Sequence, residues 1–278
     1  MIREKLSQRH VGASESFRWR GSEVSRLEEL TDAVVGFALT LLVVSLEVPR
    51  TFDDLLITMR GFAAFAMSFG LLIVIWHEHY KFFRRYGLHT VRIIVLNTIL
   101  LFLIVFYVYP LKFLFTMAAN YLFGFSSGVN LPGGLVVPMI REEQLSGLYV
   151  IFGIGWTAVW SVFGLMYGYA LQQGESLELN ELEVLDTRAS LIENLAAVGI
   201  GLVSIAIAVA GATWEIVQLA GWVYLLMFPV TWIIRMVNGR HRRVIEKRLT
   251  AAAASADAAP QPAVSVQGGD EAKLEMGD

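Results

Sequence analysis

Residues 26–49 read RLEELTDAVVGFALTLLVVSLEVP, and the way polar residues are set into this stretch governs the rest of the reading. Arg26, Glu28, Glu29, Thr31 and Asp32 crowd its start, Ser45 and Glu47 its end, and the uninterrupted apolar part runs only from Ala33 to Val44. A bilayer core about 30 Å thick asks for about 20 mostly apolar residues, so that part is too short to cross alone. Ionisable residues in a membrane segment face the bundle interior or an aqueous path. A helix of this composition therefore belongs inside the protein or beside water. Phe37, Leu41 and Val44 fall at i, i+4 and i+7, a single apolar stripe bordered by Thr40. Such a stripe serves ordinary helix packing, or, ringed about a symmetry axis, a narrow constriction that gates by dewetting.

The remainder of the chain is membrane-like. Of 278 residues, 55% are hydrophobic and 17% charged, against about 25% charged in soluble domains, and the mean hydropathy is +0.56. Hydropathy predicts an all-α membrane protein of six spans, at about 27–48, 55–80, 91–116, 145–171, 190–211 and 215–237. The last two form a hairpin turning near Ala212–Thr213. The net charge of −3 gives no sign of nucleic acid as a partner, and none is expected. The lack of cysteine excludes disulfides, thiolate metal sites and a Cys nucleophile.

Basic residues set the orientation. Arg3, Lys5, Arg9, Arg18, Arg20 and Arg26 precede the first span; Lys81, Arg84, Arg85 and Arg92 separate the second and third; Arg235, Arg240, Arg242, Arg243, Lys247 and Arg248 follow the sixth. The opposite loops carry only Arg50 and Arg141. Both termini are therefore expected in the cytoplasm. The acidic loop from Gly174 to Arg188 falls on that side and reads as a solvated connection, and Arg240–Arg248 as a topology anchor, with contact to anionic lipid as the alternative. Residues 120–143, rich in Gly, Ser and Pro, predict a loop on the other side. The chain thus divides into a cytoplasmic segment 1–23, a membrane domain 24–248 and an Ala-rich, disordered tail 249–278.

Polar residues at depth supply candidate partners for the first helix. Trp76 and His79 end the second span and Asn97 starts the third, at the cytoplasmic depth of Arg26, Thr31 and Asp32. His77 and His79 project about 200° apart on a helix and cannot share a metal ion. There is no HExxH and no potassium-filter sequence; Tyr167-Gly168-Tyr169 lies within a predicted helix.

These residues carry a resemblance. Arg26-Leu27-Glu28-Glu29-Leu30-Thr31-Asp32, the small-apolar helix ending at Val48-Pro49, Trp76-x-x-His79-x-x-x-Phe83 and Asn97 together resemble the prokaryotic members of the transmembrane protein 175 family. The likeness covers about residues 24–115. Leu30 and Thr31 stand where the family has Phe and Ser, and Phe37 where it usually has Ile or Leu. The resemblance implies a potassium-selective, leak-type cation channel of the bacterial inner membrane, a homotetramer whose central pore is lined by the first helix. Phe37, Thr40, Leu41 and Val44 would line it, and Arg26, Thr31, Asp32, Trp76, His79 and Asn97 would hold the helix in place. Potassium would be the permeant ion and membrane lipid the surroundings, with no cofactor, no metal and no enzymatic activity. A secondary transporter or a non-conducting membrane scaffold are the alternatives.

Overall fold

The structure, a computed structural model, describes residues 17–21, 23–44, 50–124, 128–130, 136–211 and 213–257. Most of the expected segment 1–23, the end of the first span with Ser45 and Glu47, Ala212, and the tail beyond Asp257 lie outside the described residues, as does the side chain of Val44. The helices are α1 (Arg26–Val44), α2 (Phe52–Arg60), α3 (Phe62–Tyr86), α4 (Val91–Phe123), α5 (Glu142–Gln172), α6 (Glu181–Ala210), α7 (Trp214–Trp222) and α8 (Met227–Asp257). A 3-10 turn, Val223–Leu226, joins the last two, and a two-stranded antiparallel hairpin, β1 (Gly128–Asn130) with β2 (Val136–Pro138), lies between α4 and α5. The region expected as a plain loop over 120–143 thus holds a helix end and a hairpin.

Among the described residues, five segments are long and apolar enough to cross a membrane: Thr58–Tyr86, Val91–Phe123, Glu142–Gln172, Glu181–Ala210 and Glu215–Ala251. They correspond to the second to sixth predicted spans. α1, with 19 residues, is shorter and carries Glu28, Glu29 and Asp32 in its first two turns. It packs on α3 and α4; α4 packs on α3 and α5, α5 on α6, and α6 on α7 and α8. The core follows this order, through Val35, Ala38 and Leu42 of α1, Leu100 and Ile104 of α4, and Phe163, Met166 and Tyr167 of α5.

Two boundaries differ from the sequence reading. The fifth span starts at Glu181, not near 190, because the acids expected to be solvated have partners. Asn180 and Glu183 form a reciprocal cap, Glu183 N–H to Asn180 Oδ1 at 2.8 Å and Asn180 N–H to Glu183 Oε2 at 3.1 Å. Glu183, only 1% exposed, also accepts two bonds from the Arg20 guanidinium, at 2.7 and 3.1 Å. Asp186 pairs with Arg242 at 3.0 Å. At the other end of the chain, α8 continues to Asp257, past the position 249 where a tail was expected, since the Ala-rich sequence after Thr250 favours helix.

The described part of the N-terminal segment is a strap rather than a free end. Phe17 is fully buried, edge-on to Tyr86 at 5.8 Å and beneath the Arg85 guanidinium at 4.7 Å. Gly21 N–H bonds the Arg84 carbonyl at 3.2 Å, and Arg84 returns a bond to the Gly21 carbonyl at 3.0 Å. A Cβ on Gly21 would stand 2.5 Å from the Phe83 carbonyl oxygen, so only glycine allows this approach. Removing one partner of a buried ion pair typically costs about 3–5 kcal/mol. Arg20→Ala is therefore expected to lower the melting temperature in detergent by several degrees, whereas Arg18→Ala, whose side chain pairs with the exposed Glu178, should leave it nearly unchanged; tryptophan-fluorescence melts decide between them.

Candidate functional site

α1 begins with a cap. The Ser25 hydroxyl bonds the Glu28 carboxylate at 3.0 Å and accepts from the Glu28 N–H at 3.2 Å, while the Ser25 N–H bonds the same carboxylate at 3.0 Å. The Ser-x-x-Glu spacing is a capping box, present in the sequence as Ser25 and Glu28.

From there the helix has two unlike faces. Thr31, Val35, Ala38 and Leu42, at successive steps of four, three and four, are buried against α3 and α4. Arg26, Leu30, Ala33, Phe37 and Thr40, at steps of four, three, four and three, are exposed. Phe37 is 57% exposed. The expected stripe is therefore divided: Phe37 and Thr40 share the open face, and Leu41 lies half-buried against the bundle. The cause is rotation: a step of four residues turns 400°, which carries Leu41 from the open face toward the core.

On the buried side a polar chain links three helices. His79 Nε2 and Asn97 Oδ1 are 2.9 Å apart, Asn97 Nδ2 donates to Thr31 Oγ1 at 3.1 Å, and the Thr31 hydroxyl donates to the Leu27 carbonyl at 2.9 Å. The order of donors fixes the tautomer. Thr31 has used its proton, so Asn97 must donate to it through nitrogen; its oxygen then accepts from His79 Nε2–H. Thr31 and Asn97 are fully buried and His79 is 2% exposed. The His79 ring lies 4.5 Å from that of Phe83. Beside this chain, Trp76 Nε1–H donates to Asp32 Oδ1 at 2.8 Å.

Of the six candidate holding residues, the structure thus brings together Thr31, Asp32, Trp76, His79 and Asn97. Arg26 stands apart. It sits on the open face and, among the described residues, bonds none of the others. Position along the sequence suggested depth but not azimuth, and Arg26 lies five residues, 500°, before Thr31.

Sequence reasoning missed a second polar cluster. Glu78 accepts from the Tyr167 hydroxyl at 2.7 Å and pairs with Lys81 at 2.6 Å, while the Tyr86 hydroxyl bonds Thr187 Oγ1 at 2.8 Å. It lies at the same end of the bundle as the strap and ties α3 to α5 and α6. Glu78 and Lys81, three apart on one helix, were its legible signal. At the far end of α1, Lys112 Nζ donates to the Leu42 carbonyl at 3.3 Å, placing a cation at that helix's C-terminus.

A bundle of long apolar helices, with a short polar helix bonded to it along one face and bare along the other, defines a polytopic α-helical membrane protein. Its residues 26–107 match the family described as endosomal/lysosomal potassium channel TMEM175. A protein of Marivirga tractuosa named potassium channel is 36% identical over 245 residues, 87% of this chain and 99% of that protein. A potassium channel of Chamaesiphon minutus is 30% identical over 97 residues, 32% of this chain and 48% of that protein. A crystal structure of a Thr-to-Ala variant of the potassium channel MtTMEM175, in complex with a nanobody fusion, superposes with a TM-score of 0.69 at 36% identity, covering 83% of this chain and all of that one. The chain belongs to the TMEM175 family.

Leaving a buried donor or acceptor unpaired costs about 1–3 kcal/mol. Asn97→Leu strands both His79 and Thr31 and is expected to lower stability by about 2–4 kcal/mol. Thr31→Ser keeps the hydroxyl and should be within about 1 kcal/mol of the parent. Denaturant titration in detergent, followed by tryptophan fluorescence, measures the difference.

Proposed function

We propose that this chain is one subunit of a potassium-selective, leak-type channel: a homotetramer of six-helix subunits in the inner membrane of a bacterium, with α1 lining a central pore and both termini in the cytoplasm. The observation that carries the proposal is the division of α1. Thr31 and Asp32 are bonded to α4 and α3, while Leu30, Ala33, Phe37 and Thr40 on the other face are exposed. A single helix cannot enclose a path for an ion, so that face requires further copies of the same chain around an axis.

The chemistry of the face suits a cation. The Thr40 hydroxyl donates its proton to the Gly36 carbonyl at 2.9 Å, which leaves its lone pairs free to accept and turned away from the helix axis. Four such oxygens would offer partial replacement for an ion's hydration shell. Phe37, one turn toward the cytoplasmic end, would form the narrowest ring, and an apolar ring resists wetting. Val44 continues the same line by spacing, with Leu41 behind it. The family and its named relatives favour potassium as the permeant ion.

The orientation rests on charge. Arg18, Arg20, Arg84, Arg85 and Arg242 gather at one end of the bundle through their contacts with α6 and the strap. Positive charge marks the cytoplasmic side.

Purified protein in liposomes gives the test. Wild type is expected to pass more potassium than sodium, with Phe37→Ala raising potassium flux several-fold by widening the ring and Thr40→Ala lowering the preference for potassium. A folded, tetrameric protein that passes neither ion in either form would overturn the channel reading.

A further inference from the structure

The last helix carries two sets of basic residues that differ in what they face. Arg235, Asn238 and Arg242 recur at steps of three and four on the side turned to α6. There Arg235 bonds Glu193 at 3.1 Å, and Asn238 and Arg242 each bond Asp186 at 3.0 Å. The opposite side follows Ile233, Met236, Arg240, Arg243 and Lys247, again at steps of three and four. Its first part is exposed and apolar, with Trp232 (65% exposed) and Val237 alongside. One turn later the same row becomes basic. Arg240, Arg243 and Lys247 are exposed and, among the described residues, form no ion pair. Val244, 67% exposed, stands between them.

Depth and direction fix what this row meets. At 1.5 Å per residue, Arg240 lies about 4.5 Å beyond Val237 and Arg243 about 9 Å. The headgroup layer extends about 5–7 Å past the hydrocarbon on each side, and a long basic side chain reaches back along its own stem. α8 packs on α6, whereas α1 packs on α3 and α4, so α8 stands at the opposite end of the packing order from the candidate pore helix. A topology signal needs only positive charge near a span and is indifferent to face. Here the inward cations are taken by the acids of α6, and the outward ones align with an apolar row.

We propose that Arg240 and Arg243 form a binding face for the headgroups of anionic phospholipid, with Lys247, farther out along the same row, adding attraction at longer range. The row's apolar part would lie against acyl chains and its two arginines would meet the phosphates, whose charge they complement. Inorganic salt should weaken the interaction, as it does any exposed charge pairing.

The proposal is tested by binding rather than flux, so it stands or falls independently of the channel reading. Full-length protein in neutral detergent is titrated with phosphatidylglycerol or phosphatidylcholine, bound lipid is counted by native mass spectrometry, and melting is followed in parallel. Wild type is expected to retain phosphatidylglycerol in preference to phosphatidylcholine and to gain thermal stability from it. Each removed arginine should weaken that binding about fivefold and the lysine by less, so R240Q/R243Q/K247Q should lose it by up to about 100-fold. R141Q, which removes an exposed cation at the other end of the bundle, should bind as wild type does. Should the triple variant not fold, R240Q and R243Q are measured singly, and wild-type affinity in both overturns the proposal. It is equally overturned if the triple variant keeps its phosphatidylglycerol, if the two lipids bind alike, or if soluble glycerol 3-phosphate displaces the lipid at equal concentration, which would make the face a site for free phosphate.

Discussion

The hydroxyl of Thr31 has two bonds, one given to the Leu27 carbonyl and one taken from Asn97, and the residue is fully buried. In hydrocarbon an unpaired polar group costs several kcal/mol, so a helix as polar as α1 can hold its place only where its neighbours answer it group for group. Asn97 answers because His79 holds its oxygen, and His79 is held in turn against Phe83. The chain of donors runs in one direction, from α3 through α4 to α1. Each link sets the proton position of the next, which makes the azimuth of α1 a consequence of the other two helices. Once that azimuth is set, Phe37 and Thr40 have only the open face to occupy.

A second constraint acts just upstream. The strap at residues 17–21 is threaded between the end of α3 and the start of α6, with Phe17 buried and Arg20 paired to Glu183. Only four residues separate Gly21 from the first residue of α1. The N-terminal end of that helix is therefore tethered to α6 as well as bonded to α3 and α4, although α1 itself does not pack on α6. The acids at the start of α6 serve both ends of the chain, Glu183 taking Arg20 and Asp186 taking Arg242. A displacement of the α6 terminus would thus reach the first helix through the strap and the last helix through Asp186.

Much of this was legible in the sequence, and the reasons differ by element. Hydropathy located the second to sixth spans because length and apolar content are one-dimensional properties. The partners of α1 were legible because Trp76, His79 and Asn97 are too polar for their depth and must bond to something. Arg26 shares their depth but lies on the exposed side of α1, because depth says nothing of azimuth. The strap was not legible: Phe17 is an ordinary aromatic in a polar stretch, and only the fold reveals that Tyr86 and Arg85 enclose it. The acidic loop misled for a related reason. Glu183 and Asp186 look like solvated charge until the arginines 163 and 56 residues away in the chain are brought beside them.

The open face of α1 can be weighed by its cost. Asp32 is held by Trp76 through one oxygen yet remains exposed, about 9 Å into the helix from Arg26 at 1.5 Å per residue. A carboxylate turned to acyl chains at depth costs at least about 2.5 kcal/mol on insertion scales, and Arg26 on the same helix adds to the burden. Thr40 and Gly36 on this side contribute little apolar area to offset it. Against lipid the face is unfavourable. Against water, or against other copies of itself around a wet axis, the carboxylate is solvated and Phe37 finds apolar partners in its own kind. The same side chains that make α1 a poor membrane span make it a suitable wall for an aqueous path, and that is the physical reason a short helix with Asp32 in its second turn is the one expected at the centre.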